Sequence, residues 1–263
     1  MYVNRGLGSE LTFEIKSDCD VTFFVPCMDE EKNIVPTIEN IHAAVSKFTY
    51  TYQILIVDDG SKDQTISKIK AYKQGHPHVR IDLIINTTNR GLGRNYVDAA
   101  YLASGEFIML VNGDNAEPQE AIEAILAQKG KADMVIPHFG SQDSRAMSRV
   151  RLSQFFTWLI NTITGNHISY YNGPVLHRRI NIIRWHSDTY GFAYQAEVLT
   201  RLLEEGATYV EVEIKNLDRE SGISKAFRMI NVLSVSHSVL QILIRRIRGI
   251  IFTRRSTKQK PAS

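Results

Sequence analysis

The sequence predicts an α/β protein with a mainly parallel central sheet and helices on both of its faces. Short apolar runs recur along the first half of the chain, and each is followed by an amphipathic stretch of helical length. Strands that alternate with helical patterns of about 10–15 residues are typical of βαβ units. Of the 263 residues, 43% are hydrophobic and 22% are charged, so the chain has enough apolar residues for a core and is not a disordered protein.

The first predicted strand, 21–25, is an apolar run that ends at Pro26. The helix after it places Ile34, Ile38 and Ile41 on one stripe at helical spacing. The same alternation continues with predicted strands at 54–57, 81–85, 107–111 and 133–136 and with helices at 63–74, 92–103 and 118–129.

The second half of the chain is less regular, and it contains no segment with the composition of a linker. Here the patterns predict helices at 148–164 and 192–205 and a strand at 209–214. We therefore expect one mixed domain over residues 21–227, preceded by an N-terminal arm over 1–20 and followed by a separate C-terminal segment over 228–263.

The cysteine content excludes two classes of protein. Cys19 and Cys27 are the only cysteines, so neither a disulfide framework nor a four-cysteine zinc site is possible. Such sparse cysteine usage favours a reducing compartment. Because residues 1–19 contain no apolar core of a secretory signal, we expect a cytoplasmic protein.

Polar residues follow four consecutive predicted strands at the points where those strands end. Residues 26–31 follow the first strand, Asp58 and Asp59 the second, the segment 89–94 the third, and Asn112 and Asp114 the fourth. In open α/β sheets, ligands bind outside the carboxyl ends of the strands. We therefore expect these residues to converge on one cleft.

Two common nucleotide-binding signatures are absent. The pair Gly91 and Gly93 lacks the third glycine of the dinucleotide fingerprint, since Tyr96 stands in its place. The chain also lacks the phosphate-binding loop with its lysine. Both a dinucleotide-dependent oxidoreductase and a P-loop ATPase are therefore disfavoured.

The remaining pattern indicates a site for a metal and a nucleotide. Carboxylates repel a nucleoside diphosphate unless a divalent cation stands between them, and Mg²⁺ or Mn²⁺ prefers oxygen ligands. Asp114 is placed to hold such a cation, whereas Asp58 and Asp59 suit hydrogen bonds from a base or a ribose. Arg94, near a helix start, is either a phosphate contact or a solvated helix residue.

In their order along the chain, these motifs resemble the inverting glycosyltransferases of family 2. The resemblance covers roughly residues 21–227 and is greatest to the branch that includes dolichol- and polyprenol-phosphate mannosyltransferases. Its motifs are residues 25–34, 56–61, 89–93 and 112–114, followed by 172–179 and by the Arg-x-x-Gly-x-Ser-Lys segment at 219–225. The resemblance implies the nucleotide-sugar-binding fold called GT-A and a nucleotide-sugar donor.

The resemblance also implies roles for individual residues. Pro26, Glu30 and Asp58 are expected to contact the nucleoside, with Asp59 close by. Asp114 is expected to hold the metal on the donor pyrophosphate. Arg219 and Lys225 are expected to bind phosphate of the donor or the acceptor. Arg149 or its neighbour Arg151 matches a further phosphate-binding arginine more loosely, and the alternative for this segment is a plain surface helix.

The chain departs from the family at the metal motif. Asn112 stands where the family usually has the first aspartate of Asp-x-Asp, and Ala116 stands where this branch often has a metal-ligating glutamine. An amide oxygen ligates a cation without supplying charge. We therefore expect Asn112 and Asp114 to bind metal more weakly than usual, or with help from Glu117 or the donor phosphates. The same departure from the motif favours an alternative function, a non-catalytic nucleotide-sugar-binding or scaffold protein.

The expected acceptor is a polyprenyl-type lipid phosphate. A phosphate with a second pKa near ~6 is largely a dianion at neutral pH and needs positioning by cations rather than a general base. Arg178 and Arg179, like Arg219 and Lys225, suit that task, although the first two are equally compatible with a solvated face. A surface glycan is the other possible acceptor, and its hydroxyl requires a base.

Asp188 is the one attractive candidate for such a base. The alternative is that it caps the helix predicted from residue 192 or lies in a loop before it. The choice between lipid phosphate and glycan therefore depends in part on this residue.

The C-terminal segment is basic and amphipathic. Residues 229–244 carry no Asp, Glu, Lys or Arg, and residues 245–263 contain seven basic residues and no acidic ones. A polar stripe runs through Asn231, Ser234, Ser238, Gln241, Arg245 and Arg248, with apolar residues on the other side. Such a helix either lies on an anionic membrane at its cytoplasmic face or covers the core or another subunit. No aromatic interleaving supports nucleic-acid binding, and the oligomeric state stays open.

Overall fold

A computed structural model describes residues 2–4, 12–14, 16–140, 147–184, 193–215 and 229–256. The strands are β1 (Tyr2–Asn4), β2 (Thr12–Glu14), β3 (Cys19–Cys27), β4 (Tyr52–Asp58), β5 (Ile81–Ile85), β6 (Gly105–Leu110), β7 (Met134–Phe139), β8 (Leu176–Arg178) and β9 (Tyr209–Ile214). The helices are α1 (Ile34–Val45), α2 (Thr65–Gly75), α3 (Leu92–Leu102), α4 (Gln119–Leu126), α5 (Met147–Thr164), α6 (Arg179–Arg184), α7 (Tyr194–Glu204) and α8 (Met229–Ser256).

Seven strands form one sheet in the order β5-β4-β3-β6-β8-β7-β9, while β1 and β2 pair separately as an antiparallel hairpin. All neighbours in the large sheet are parallel except β8, which runs antiparallel to both β6 and β7. The predicted mainly parallel sheet is confirmed. The sequence pattern missed β8 because a strand of three residues is too short to show a period.

Alternate residues of each strand point to opposite faces, and each face has its own core. On β4, Ile54 and Ile56 belong to the core formed with α1, α2 and α4. Their neighbours Leu55 and Val57 belong to the core formed with α3, α5, α6, α7 and α8. The helices therefore cover both faces, as predicted.

Three adjacent parallel strands end at nearly the same level. Cys27 of β3 lies opposite Asp58 of β4, which in turn lies opposite Ile85 of β5. Phe24 of β3 pairs with Leu110 at the end of β6. The loops that follow these four strands consequently lie side by side along one edge of the sheet, which we call the carboxyl edge.

Helix α8 lies against α5 and α7 and turns part of its polar stripe toward the protein. Ser238 and Ile242 are fully buried, and Arg245 donates hydrogen bonds to Glu204 Oε2 at 2.7 Å and to Thr200 Oγ1 at 2.6 Å. The helix thus covers part of the core, one of the two expected roles. In the described ranges, which include α8, no helix is both long and apolar enough to cross a membrane.

Candidate active site at the carboxyl edge of the sheet

The loops after β3 and β4 are joined by reciprocal hydrogen bonds. The backbone N–H of Asp29 donates to Ser61 Oγ at 2.9 Å, and the N–H of Lys62 donates to Asp29 Oδ1 at 2.8 Å. The same exchange recurs two residues further on, where the N–H of Glu31 donates to Asp63 Oδ2 at 3.0 Å and the N–H of Gln64 donates to Glu31 Oε2 at 3.1 Å. Because each loop supplies hydrogen-bond partners to the other, the two loops hold each other in position.

Pro26 and Glu30 lie half-buried beside these loops. The carbonyl of Pro26 accepts a hydrogen bond from the N–H of Gly113 at 3.1 Å, which ties the end of β3 to the segment after β6. Glu30 Oε2 accepts one from Asn33 Nδ2 at 2.9 Å. Both residues lie at the carboxyl edge, as the sequence predicted, and their contact with a nucleoside stays a prediction.

Asp58 is fully buried and closes the turn after β4. Its Oδ1 accepts hydrogen bonds from the N–H of Gly60 at 3.2 Å and of Ser61 at 2.9 Å, an arrangement that the positive φ of Gly60, 92°, allows. Its Oδ2 lies 3.8 Å from Cys27 Sγ. Burial, and then the charge of Asp58, raises the pKa of the Cys27 thiol, which therefore stays protonated.

Asp59 anchors the glycine-rich segment rather than opening toward the cleft. It is buried, and its carboxylate accepts hydrogen bonds from the N–H of Arg90 at 2.9 Å, the N–H of Gly91 at 3.1 Å and Asn86 Nδ2 at 2.9 Å. Burial raises its pKa, but the hydrogen bonds from Arg90, Asn86 and Gly91 outweigh that effect, so the pKa is lowered. The oxygens of Asp59 therefore hold the loop, and the expectation that this residue lies close to a bound nucleoside stays a prediction.

The anchored segment leads directly into α3. Gly91 has φ 85° and ψ 151°, a conformation that favours glycine, and the helix begins at the next residue, Leu92. Arg94 is exposed in the first turn of α3. Since α3 follows β5, Arg94 lies at the carboxyl edge, and its contact with phosphate stays a prediction.

The segment after β6 is organised by Glu117, which is 7% exposed. Its carboxylate accepts two hydrogen bonds from Asn112, one from the backbone N–H at 2.9 Å and one from Nδ2 at 2.8 Å. Asp114 is half-buried, and its Oδ1 lies 3.3 Å from the N–H of Ala116. Asn112 and Asp114 therefore present their side chains from one short, structured turn.

Helix α1 and strand β3 hold this turn in place. A Cβ added to Gly113 would lie 2.8 Å from both Cys27 Cβ and the carbonyl oxygen of Pro26, so only glycine fits. Thr37 Oγ1 donates to the carbonyl of Gly113 at 3.2 Å. Asn40 Nδ2 donates to Asn115 Oδ1 at 2.8 Å, and Asn115 has a positive φ of 56°. The position of Asp114 is consequently set by contacts from both elements.

The oxygen donors of this turn fit Mg²⁺ or Mn²⁺ only in part. Asp114 contributes a carboxylate. Because an ionised Glu117 only accepts hydrogen bonds, Asn112 must turn its NH₂ toward Glu117. The amide oxygen of Asn112 is then directed away from Glu117 and can meet another partner. Among the described residues, no three His, Cys, Asp or Glu side chains are grouped as a metal site. A cation here requires phosphate oxygens as well, which is how Mg²⁺ commonly binds.

Two predicted phosphate-binding residues lie elsewhere. Arg178 is opposite Phe107 near the start of β6, and it pairs with Glu106 at 2.9 Å and Asp133 at 3.5 Å. The buried Arg179 donates to the carbonyl of Gly105 at 2.7 Å. Because β8 runs antiparallel to β6, its last residues lie at the amino end of β6, so Arg178 and Arg179 are not brought to the carboxyl edge, and their binding of phosphate stays a prediction.

Other predicted residues lie outside the described part of the chain. These are Asp188, Arg219 and Lys225. Arg149 belongs to the first turn of α5, but its side chain is not described, whereas Arg151 is exposed on the same helix. The roles of these residues stay predictions.

Sequence reasoning missed the residues that support the site. Thr37 and Asn40 on α1 and Asn86 after β5 are single polar residues within or beside apolar patterns. A polar residue on the buried stripe of a helix was the available signal for Thr37, which is 1% exposed. The identity of its partner was not available, since that partner is 76 residues away.

Comparison with known proteins places these features in context. The sequence profile of the family described as Glycosyl transferase family 2 matches residues 22–189. A dolichyl-phosphate beta-glucosyltransferase of Trichomonas vaginalis is 30% identical over 114 residues, which are 41% of this chain and 33% of that protein. An undecaprenyl-phosphate 4-deoxy-4-formamido-L-arabinose transferase of Salmonella paratyphi A is 25% identical over 222 residues, which are 81% of this chain and 65% of that protein. The chain thus spans between one third and just under two thirds of the length of these relatives.

Solved structures are similar in fold. Glucosyl-3-phosphoglycerate synthase from Mycobacterium tuberculosis, crystallised with Mn²⁺, UDP and glucosyl-3-phosphoglycerate, has a TM-score of 0.62 at 14% identity, with 87% of this chain and 80% of that chain covered. A mannosyltransferase from Pyrobaculum calidifontis, in complex with GDP-Man and Mn²⁺, has a TM-score of 0.61 at 17% identity, with 88% and 64% covered. The expected GT-A fold is confirmed by this likeness, which at such low identity concerns the fold alone.

Proposed function

Because the chain belongs to glycosyl transferase family 2, we propose that it is an inverting glycosyltransferase that moves a sugar from a nucleotide diphosphate sugar to a polyprenyl-type lipid phosphate. One observation carries the proposal. The carboxyl edge brings together Pro26, Glu30 and the turn of Asn112 and Asp114, which come from separate segments of the chain.

In the proposed reaction, an oxygen of the acceptor phosphate attacks the anomeric carbon while the bond to the leaving diphosphate breaks on the opposite side of that carbon. Asp114 and the amide oxygen of Asn112 would hold Mg²⁺ or Mn²⁺ on the diphosphate. When bound, that cation stabilises the negative charge of the leaving group. Arg94 of α3 is proposed to contact the same phosphates, and Pro26, Glu30 and Asp58 to border the nucleoside.

A lipid phosphate is the preferred acceptor on chemical grounds. Its dianion needs cations for positioning and no general base, and we assign that positioning to Arg149, Arg219 and Lys225. The two relatives are named as a dolichyl-phosphate and an undecaprenyl-phosphate transferase, which supports this class of acceptor. Asp188 would be the base if the acceptor were instead the hydroxyl of a surface glycan.

Two helices support contact with a membrane. Helices α5 and α8 lie against each other and expose large apolar side chains that we call the α5–α8 apolar surface: Met147, Leu152, Phe155, Trp158, Leu240, Leu243, Ile244, Ile247, Ile250, Ile251 and Phe252. Arg246 and Arg248 are exposed on the same part of α8. Apolar side chains beside arginines suit an anionic lipid surface, so we propose peripheral attachment to the cytoplasmic face of a membrane.

Vesicle binding tests this attachment with matched variants. We expect the protein to sediment with vesicles that contain phosphatidylglycerol, and Leu152→Gln on α5 to weaken that binding. Leu102→Gln is the control, since Leu102 is 57% exposed on α3, outside the surface, and Leu152 is 48% exposed. No sedimentation of the wild type would exclude the attachment, and equal sedimentation of all three proteins would show that the attachment does not use the α5–α8 apolar surface at Leu152.

The reaction itself is tested by following the sugar. A thermal-shift panel of nucleoside diphosphates, each with and without Mn²⁺, identifies the base, because a ligand that binds the native state raises the melting temperature. The corresponding donor, radiolabelled in the sugar, is then incubated with polyprenyl phosphate. Label in the lipid is the expected result, and label that appears only in an added glycan would instead assign the hydroxyl acceptor.

A second candidate function has one observation in its favour. Asn112 replaces a carboxylate of the metal motif, and in the described residues no group of three acidic, His or Cys side chains offers a substitute. A nucleotide-sugar-binding protein without turnover would have such a site. Tight donor binding with no labelled product from any acceptor would favour it over the enzyme.

A further inference from the structure

Glu117 is a buried carboxylate that accepts two hydrogen bonds from one residue. Its two oxygens accept from the backbone N–H and the side-chain NH₂ of Asn112, at 2.9 and 2.8 Å. Glu117 is only 7% exposed, and a buried charge is costly unless it is hydrogen-bonded or paired. The contact therefore restrains both the backbone and the side chain at position 112.

The chemistry of the pair depends on residue 112 being an amide. An ionised carboxylate has no hydrogen to donate, so Asn112 must direct its NH₂ toward Glu117. An aspartate at 112 would place a second carboxylate against Glu117, and like charges at hydrogen-bond distance repel each other. Asn112 and Glu117 are thus complementary, because the amide supplies hydrogen-bond donors and the carboxylate supplies acceptors.

We propose that Glu117 is a positioning residue for the metal on the donor: it holds Asn112 so that the amide oxygen of Asn112 is available to the cation. This inference rests on the proposed function. Glu117 acts through Asn112, as carboxylates commonly do when they orient a metal ligand by hydrogen bonding. Asn112 then ligates the cation through its amide oxygen, which Glu117 holds in place, so the replacement of the usual aspartate does not remove a ligand from the metal motif.

A purely structural role makes a different prediction. Glu117 lies two residues before the start of α4 at Gln119, where a negative charge also interacts favourably with the helix dipole. If that were its whole task, its replacement would lower the melting temperature and leave the affinity for metal unchanged. Metal affinity at constant fold therefore separates the two roles.

The experiment is a double-mutant cycle on the full chain. Wild type, Glu117→Gln, Asn112→Asp and the double variant are titrated with Mn²⁺ by electron paramagnetic resonance. Each titration is run in the presence of the nucleoside diphosphate that gives the largest thermal shift with the wild type. The double variant reverses the polarity of the pair, because the new amide at position 117 then donates to a carboxylate at position 112.

We expect each single variant to weaken Mn²⁺ binding by about 10- to 100-fold, the size typical of a lost supporting contact. The double variant is expected to recover most of that loss. Glu120→Gln serves as the control, because Glu120 is exposed on α4 and the change removes the same unit of charge three residues away. It is expected to leave Mn²⁺ affinity within about twofold, as surface charges separated by solvent interact weakly.

Three results would overturn the inference. They are wild-type affinity in Glu117→Gln, no recovery in the double variant, and an equal loss in Glu120→Gln. Glu117→Asp, which keeps the charge but is too short for both hydrogen bonds, replaces Glu117→Gln if circular dichroism shows that the glutamine variant does not fold. If the wild type binds no nucleoside diphosphate with Mn²⁺, the proposed function is overturned as well. If the wild type binds them and Glu117→Gln binds Mn²⁺ with the same affinity, only this inference is overturned.

Discussion

At the carboxyl end of β4, Asp58 and Asp59 accept hydrogen bonds from uncharged N–H groups, whereas carboxylates at the amino ends of strands in the same sheet are paired with basic side chains. Asp59 is held by Arg90 and Gly91 through their backbone N–H groups. At the other end, Asp20 lies 3.1 Å from Lys129 Nζ, and Glu106 lies 2.9 Å from Arg178 Nη1.

This difference explains why one edge suits a ligand. A carboxylate held by neutral donors is kept in place without being neutralised, so its negative charge still attracts a cation. A carboxylate paired with arginine or lysine has its charge already balanced. This contrast supports the proposal that a divalent cation binds with its nucleotide at the carboxyl edge, whereas the paired carboxylates at the amino ends join the strands to neighbouring elements.

The largest expected effect comes from the carboxylate at the centre of the site. Asp114→Ala is expected to lower kcat/KM for sugar transfer by about 100- to 1,000-fold, the cost of removing one preorganised electrostatic contact from an active site. The melting temperature should change little, since Asp114 is half-buried in a surface turn. Unchanged turnover would remove Asp114 from the site and with it the difference between the two edges.

A smaller loss is expected when the turn beneath Asp114 is displaced. Gly113→Ala puts a methyl group 2.8 Å from Cys27 Cβ and the Pro26 carbonyl, so the turn must move away from β3. We expect a free energy of unfolding lower by about 1–3 kcal/mol, typical of overpacking, and weaker binding of Mn²⁺ with nucleotide. Urea unfolding and a binding titration check both. The control is Gly75→Ala, where an added Cβ meets nothing within 4 Å.

Asp59→Asn tests the anchoring of the glycine-rich segment. The amide keeps one oxygen but turns an NH₂ group toward N–H donors, so at least one buried donor loses its partner. We expect a cost of about 1–3 kcal/mol in the free energy of unfolding at pH 7, measured in urea. A stability equal to the wild type's would contradict the anchoring role of Asp59.

The lowered pKa of Asp59 gives this contact a defined pH dependence. A group whose pKa is lower in the folded protein stabilises it above the unfolded value, 3.8, and that contribution is lost as the pH falls through the folded value. Wild type should therefore lose more stability than Asp59→Asn between pH 5 and about pH 2. Parallel stability curves for the two proteins would show that the carboxylate does not titrate in this way.

The smallest effect is expected at the amino end of the sheet. Arg178→Ala breaks two ion pairs of a partly exposed arginine, which should lower the free energy of unfolding by about 1 kcal/mol or less. Transfer should stay within about twofold of the wild type. A large loss of activity at full stability would return Arg178 to the phosphate-binding role that its motif first suggested.

Much of the fold was predictable because its signals are local. The apolar stripe of α1 and the continuous apolar run of β4 are patterns within single elements, and the recurrence of such patterns was enough to predict a mainly parallel sheet with helices on both faces. The strand β8 was not predictable, because three residues carry no period and its direction depends on where the chain returns to the sheet.

The site likewise has features that the sequence predicted and features that only the structure showed. By itself, the sequence determined that polar residues end four successive strands, that Asp114 follows the fourth and that Asn112 replaces the usual aspartate, because strand ends and motifs are read from neighbouring residues. Only the tertiary structure decided that Asp59 anchors a loop, that Arg178 lies at the far end of the sheet and that Glu117 holds Asn112. The physical reason is that the available charge of a side chain depends on its hydrogen-bond partners. Those partners are set by strand direction, loop path and burial, none of which is contained in a short stretch of sequence.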